Sequence, residues 1–381
     1  MFRRILCALA GVACLCSAAA AGVVNPDISV IGQPFARWTD EAGDAARKRP
    51  TLDPGEVEAM FDAALNPYAR GAFVLSFGEE GASVEEGYFQ LTRGLPGGLA
   101  MKGGKYRLGF GKLNAVHPHA IPFAERFNVL ATYLPGDESF NDTALQLSER
   151  FALPGDVAVT ASVDWLKGDL FRIERASSGA PNDPLEVAGP DGAGDRAAEP
   201  RPGVLGRVSG FVPIGDRSGL ELGLSGAQGT NNVAAATRTT LLGADAKLKL
   251  WRSERAYWVV QGEFVKLSRD DAGWDEPSAA YTKTTVEPAG GYLFADYNFD
   301  QRYNVGVGAE RWQSPDADEV WNTGLRAFAG LALMEETTAF RVDFERVQPG
   351  TPAGATEDPE AIHRVTVRVL FSMGPHKAHQ F

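Results

Sequence analysis

The chain has 381 residues, with 49 Asp and Glu against 37 Lys and Arg, for a formal net charge of −12. That balance excludes the basic surface a nucleic-acid partner requires and favours attraction of cations over anions. Its three cysteines, Cys7, Cys14 and Cys16, all precede residue 17, so the remainder has no disulfide, thiolate metal centre or cysteine nucleophile.

The first residues read MFRRILCALAGVACLCSAAAAG. Arg3 and Arg4 make a basic start, an apolar run follows from Ile5, and Ala19-Ala20-Ala21 supplies small residues at the cleavage position. Residues 1–21 are expected to be a secretory signal peptide, with Gly22 as the mature start. An uncleaved membrane anchor is the alternative. A lipoprotein signal is poor, because Gly11 stands three residues before Cys14 where an apolar residue is wanted. Losing Arg3 and Arg4 takes the charge to −12 − 2 = −14.

No later segment offers the roughly 20 apolar residues of a transmembrane helix. A membrane β-barrel escapes that test, since its lipid-facing side chains alternate with lumenal ones. Period-two alternation runs along the whole mature chain. It marks strands at 27–38, 55–65, 68–77, 84–92, 98–110, 141–151, 156–168 and 203–212. More follow at 217–228, 238–251, 254–268, 286–299, 303–313, 320–334, 338–347 and 361–373. At 289–299, Gly290, Tyr292, Phe294, Asp296 and Asn298 share one face, and Leu293, Ala295, Tyr297 and Phe299 the other. The final strands oppose Arg341, Asp343 and Glu345 to Arg364, Thr366 and Arg368 on one wet face. The stripe Ala59, Phe61, Ala63, Leu65 also has spacing two and reads as strand.

The links alternate in length. Short ones fall at Pro154-Gly155, Gly215–Ser218, Arg252-Ser253, Asp300–Arg302 and Glu335-Glu336. Longer ones lie between, above all 171–202, rich in Pro, Gly, Ala and Asp. Short turns on one rim and long loops on the other are the habit of outer-membrane barrels, periplasmic and extracellular respectively. Trp165, Tyr257, Trp258, Tyr292, Tyr297, Trp312 and Trp321, near strand ends, are expected to form interfacial girdles, and Phe381 supplies an aromatic C-terminus. A soluble sandwich or propeller is the competing fold. The pattern favours an all-β chain: a transmembrane antiparallel β-barrel of about sixteen strands with an in-folded loop, as one domain over 22–381.

Four runs carry a resemblance: NPDISVIGQPFARW, FVLSFGEEGASVEEGYFQL, GKYRLGFGKLNAVHPHAIPF and the closing FSMGPHKAHQF. They resemble a family of bacterial outer-membrane proteins described as porin-like and loosely related to phosphate-selective porins of the O and P type. Some relatives are labelled zinc-regulated outer-membrane proteins. The resemblance covers most of the mature chain and implies a barrel of about sixteen strands that passes small solutes. The chain departs from it in lacking a long basic ladder, which speaks against phosphate selectivity.

Four of the five histidines sit in two clusters, His117-Pro118-His119 and His376-Lys377-Ala378-His379. The first lies in 113–135, broken by Pro118, Pro122 and Pro135 and too irregular for a barrel wall. This segment is expected to fold into the lumen as a constriction. Pro118 fixes an extended run, and in such a run residues i and i+2 point the same way. Both imidazoles then face one cation. The tail 374–381 brings two more rings if it folds back. His117, His119, His376 and His379 are thus candidate ligands for zinc or another divalent cation, with Glu79, Glu80, Glu85, Glu86 or Glu125 to complete a shell. The alternative is structural: rings that anchor the loop, and a solvated tail. There is no G-x-S-x-G elbow, no HExxH and no P-loop, so no enzyme is expected and no cofactor is required.

The expected function is passive diffusion of small solutes or ions, with cation preference, across a Gram-negative outer membrane. Glu310, Arg341, Asp343, Glu345, Arg364 and Arg368 are expected to line the pore. Partners are outer-membrane lipid and small solutes. A homotrimer is compatible with the reading, although no trimer interface is legible. A metal-binding barrel and a plugged structural barrel are the alternatives.

Overall fold

The structure, a computed structural model, describes residues 26–79, 81–136, 139–172, 201–233, 235–275, 277–278, 280–317, 319–334 and 337–374. The expected signal peptide 1–21, most of the 171–202 loop, and His376 and His379 of the tail lie outside the described residues.

Among the described residues, nineteen strands form one antiparallel sheet. In chain order they are β1 (Asp27–Gly32), β2 (Phe35–Thr39), β3 (Thr51–Asp53), β4 (Val57–Asn66), β5 (Ala69–Gly78), β6 (Gly81–Leu91) and β7 (Ala100–Arg107). Then come β8 (Asn141–Leu153), β9 (Val157–Leu166), β10 (Gly203–Ile214), β11 (Ser218–Asn232), β12 (Thr237–Ser253) and β13 (Ala256–Asp275). The last are β14 (Ala280–Val286), β15 (Ala289–Phe299), β16 (Tyr303–Gln313), β17 (Trp321–Met334), β18 (Thr338–Gln348) and β19 (Ile362–Met373).

Three of these do not add a wall position. β1 and β2 are one wall strand, interrupted at Gln33-Pro34, where proline has no N–H to give the ladder. β3 is a short ribbon on β2, and β14 continues into β15 across Glu287-Pro288. The wall is a closed barrel of sixteen strands. Closure is made by the first wall strand against the last, with Val30 opposite Met373 and Phe35 opposite Arg368. A closed barrel leaves no unpaired edge, which is what a backbone in hydrocarbon requires.

The outer face carries Phe73, Leu147, Val163, Leu224, Phe264, Val307, Leu325 and Phe344, all exposed. Side chains of this size and number, contiguous around a barrel, match the apolar band of a lipid-embedded wall. One rim has tight turns. Asp300 and Gln301 both take positive φ, 53° and 58°, which lets a short hairpin follow the strand twist. The other rim has the long connections and a tall β13–β14 hairpin. The sequence predicts that β13 ends at 268; it continues to Asp275, and β14 is not anticipated. In the extension Asp271 and Ala272 are consecutive and both buried, so that part of β13 has no alternation to read.

The segment between β7 and β8 leaves the wall. Ladder pairing stops at Arg107 opposite Asn141, and the Leu108 N–H then bonds the Phe140 carbonyl at 2.9 Å. The described residues 108–136 and 139–140 therefore lie across the lumen, a longer stretch than the expected 113–135. They hold a 3₁₀ turn, Pro118–Ala120, and a short helix, α1 (Asn128–Tyr133).

This segment brings its own core. Phe110, Leu113, Ile121, Phe123, Phe127, Leu130 and Phe140 are buried against wall residues Leu205, Leu241, Val265, Tyr292, Phe294 and Phe328. Phe127 stacks on Tyr292 with centroids 4.2 Å apart and planes 11° apart. Phe123 meets Phe127, Phe294 and Phe328 edge-on at 5.1–5.4 Å. Gly308 makes room, since a Cβ there would sit 2.9 Å from the Phe127 ring. Two expected girdle residues, Tyr292 and Trp312, are corrected by this packing: both are buried inside the barrel. Tyr257 also faces inward, packed on Trp251 at 4.7 Å. Trp165, Trp258 and Trp321 are exposed, and Tyr297 packs on Trp258 at 4.7 Å.

Candidate functional site

β4 alternates Ala59, Phe61 and Ala63 with Glu58 and Asp62. The first set faces out, so Glu58 and Asp62 face the lumen, and both are buried. β6 breaks that rule. Val74 of β5 pairs with Glu86 while the next residue, Leu75, pairs with Val84, leaving Glu85 as an extra residue. This β-bulge turns two consecutive carboxylates to the same side, and Glu85 and Glu86 are both buried.

The in-folded segment delivers His117 and His119 onto these carboxylates. His117 Nδ1 lies 3.1 Å from Glu58 Oε2 and 3.6 Å from Glu85 Oε2, while its Nε2 lies 3.4 Å from Glu86 Oε2. His119 Nδ1 lies 3.1 Å from Glu58 Oε1. The rings stack, with centroids 5.6 Å apart. The expected extended run holds only to His117 (φ −68°, ψ 150°); Pro118 then opens the 3₁₀ turn, and the rings converge across it. Arg107, at the end of β7, contacts Glu85 with its guanidinium and Glu86 with its backbone N–H at 2.8 Å. Burial alone would lower the His117 imidazole, but its contacts with Glu58 and Glu86 outweigh that and hold it above its ordinary value.

Elsewhere, wall side chains grip the segment by its backbone. Glu263 accepts the N–H groups of Lys112 and Leu113 at 3.0 and 2.6 Å, and Glu310 accepts that of Val129 at 2.9 Å. Arg341 donates to the carbonyls of His119 at 2.9 Å and of Ile121. Arg326 donates to the Glu125 carbonyl and pairs with Glu345 at 2.7 Å. Of the six residues expected to line a pore, all face inward. Glu310, Arg341 and Glu345 bind the segment directly, Asp343 lies 3.7 Å from Arg326, Arg364 pairs with Glu345 and Glu41, and Arg368 is buried near Gln33.

The candidate metal ligands divide. His117 and His119 meet each other, and His117 meets Glu85 and Glu86. Glu79 is exposed at a hairpin tip, and Glu125 turns to Arg37 at 3.7 Å. Glu80, His376 and His379 lie outside the described residues. Glu58 is a candidate ligand not among those expected from the sequence, although the alternation that sends Ala59 and Phe61 outward was its signal. Arg107 and the bulge left no local signal.

No family model matches the chain. An uncharacterised protein of Aquifex aeolicus is 29% identical over 262 residues, 66% of this chain and 52% of that protein. The chain thus spans about half the length of the curated relative it matches. Solved structures are similar across nearly all of it. An anion-selective porin from Comamonas acidovorans superposes with a TM-score of 0.59 at 12% identity, covering 92% of this chain and 100% of the porin. The OmpT outer-membrane protein of Vibrio cholerae, in a trimer form, gives 0.55 at 11% identity over 92% and 100%. The chain has the porin fold. At such identities the likeness speaks for architecture and for nothing finer.

Proposed function

We propose that this protein is a porin-type channel of a Gram-negative outer membrane, in which the in-folded segment between β7 and β8 sets the constriction. The observation that carries the reading is the closed sixteen-strand barrel with an apolar outer face and a polar inner face crossed by an anchored segment. Porins among the similar structures support it. The phosphate-selective and zinc-regulated labels rest on the sequence resemblance alone. A homotrimer is part of the proposal, supported by the trimer form of the Vibrio protein.

Solute would pass beside the segment. On the short-turn side the lumen keeps a cavity of about 350 Å³, lined by Lys249, Trp251, Tyr257, Asn298, Asn304 and Arg341. The preference for cations rests on the net charge of −12. It is expected to be modest, because Glu58, Glu263, Glu310 and Glu345 are engaged by the segment or by arginine. A second reading, a plugged barrel, is favoured by the aromatic core that fills one side of the lumen.

Planar-bilayer recording of the refolded protein tests the proposal. Discrete conductance steps with a weakly cation-directed reversal potential in a salt gradient are expected. Silence from a correctly folded barrel would establish the plug, and a strong anion preference would overturn the selectivity.

A further inference from the structure

We propose that Glu58, His117 and His119 form a binding site for one borderline divalent cation of the zinc class, clamping the in-folded segment to the wall. The inference is independent of whether the lumen conducts. One carboxylate oxygen and one nitrogen from each ring all lie within 4.8 Å of one another. Glu58 reaches each Nδ1 at 3.1 Å, with Oε2 to His117 and Oε1 to His119. A tetrahedral shell with bonds of about 2.0–2.2 Å sets its donors about 3.4 Å apart. The carboxylate-to-ring spacings are thus of ligating size, and the widest spacing in the cluster, within 4.8 Å, has to contract to bring all three donors onto one ion.

Three further features suit a cation. First, two imidazoles and one carboxylate, with a fourth position left for water, are the donor set of an open zinc-type site, and imidazole selects zinc, copper or nickel over magnesium or calcium. Second, the site has an outer shell. His117 turns its other nitrogen to Glu86 at 3.4 Å, and Glu86 is itself held by the Arg107 N–H at 2.8 Å. A carboxylate behind a ligating imidazole fixes its tautomer and strengthens it as a donor. Third, the charge suits it: Glu58 and Glu86, both buried, are the carboxylates the rings face, Arg107 is taken by Glu85, and a dication at Glu58 adds to the positive charge that Lys102 places near Glu86. Glu58 Oε2 and His117 Nδ1 are buried and make no hydrogen bond of good geometry, although they lie 3.1 Å apart.

The site joins three stretches distant in sequence: the start of β4, the bulge of β6 and the His-Pro-His turn. A cation here would cross-link the constriction to the wall at its broken end, where Pro118 interrupts regular hydrogen bonding.

The full refolded chain in detergent, stripped with a chelator, is titrated with cobalt(II) as a spectroscopic probe and with zinc by calorimetry. One equivalent should bind, and cobalt should show the intense visible bands of a four-coordinate site. Glu58→Gln and His119→Ala should each weaken binding by at least about 100-fold, and Glu86→Gln by about 10–100-fold. The double change His376→Ala with His379→Ala should leave it intact. Heat-modifiable gel migration reports folding, and Glu58→Gln, nearly isosteric, carries the test if a histidine variant does not fold. Absence of binding to the folded wild type would overturn the proposal. So would affinity unchanged in Glu58→Gln, or lost only with the tail histidines.

Discussion

Glu85 and Glu86 are neighbours in a β-strand, yet both side chains are buried inside the barrel. The bulge that pairs Val74 with Glu86 and Leu75 with Val84 makes this possible. In a regular strand one of them would face lipid, where a carboxylate costs several kcal/mol. The bulge thus supplies Arg107 with a partner and His117 with a second carboxylate. Glu85→Gln should destabilise the barrel by about 3 kcal/mol, because Arg107 would lose its charged partner in a site of low exposure. Urea unfolding in lipid vesicles, followed by tryptophan fluorescence, measures this. A change under about 0.5 kcal/mol would mean the pair is hydrated and weak.

The segment's aromatic anchor gives a second expectation. Phe127 is 1% exposed and stacked on Tyr292. Phe127→Ala should cost about 3–5 kcal/mol through lost burial and a cavity, and should raise single-channel conductance if the segment sets the constriction. Conductance unchanged despite the loss of stability would place the solute path away from the segment.

Arg326 joins the polar and aromatic parts of the lumen. It pairs with Glu345, donates to the Glu125 carbonyl, and lies over the rings of Phe123 and Phe127 at 4.8 and 5.0 Å. Arg326→Met removes all of these and should cost about 3–5 kcal/mol, the usual penalty of breaking a buried pair. Arg326→Lys keeps charge but loses the planar fork, so its cost should be smaller. Equal losses in the two variants would show that charge alone has no role there.

At the long-loop rim, Asp40 ties the first connection to the last strand. Its carboxylate accepts the His363 N–H at 2.6 Å and meets His363 Nδ1 at 2.8 Å. The backbone bond, then the ring, holds Asp40 below its ordinary value of 3.8. A lowered folded value means the stabilisation is complete above the unfolded value and is lost as pH falls through the folded one. The stability difference between wild type and Asp40→Asn should be constant from pH 7 to about pH 5 and shrink below pH 4. A difference that persisted at pH 2 would assign it to geometry rather than charge.

The sequence by itself determined the barrel. Period two is a local property, fixed by the alternation of lipid and lumen along each strand, so Leu293 against Tyr292 or Val342 against Asp343 could be sorted without knowing any neighbour. The same local logic, with Pro118 and Pro122 forbidding a wall strand, marked the segment that enters the lumen. Tertiary structure decided everything that depends on which strand lies beside which. Tyr292 and Trp312 are aromatic wherever they stand; burial against Phe127 and Val129 made them core rather than girdle. Glu85 reached the lumen because of a ladder irregularity with no signature in its own residues. Glu58 and His119, 61 positions apart, met because β4 and the in-folded segment share one side of the barrel. Alternation tells each residue which way to face, whereas only closure of the sheet tells it what it will face.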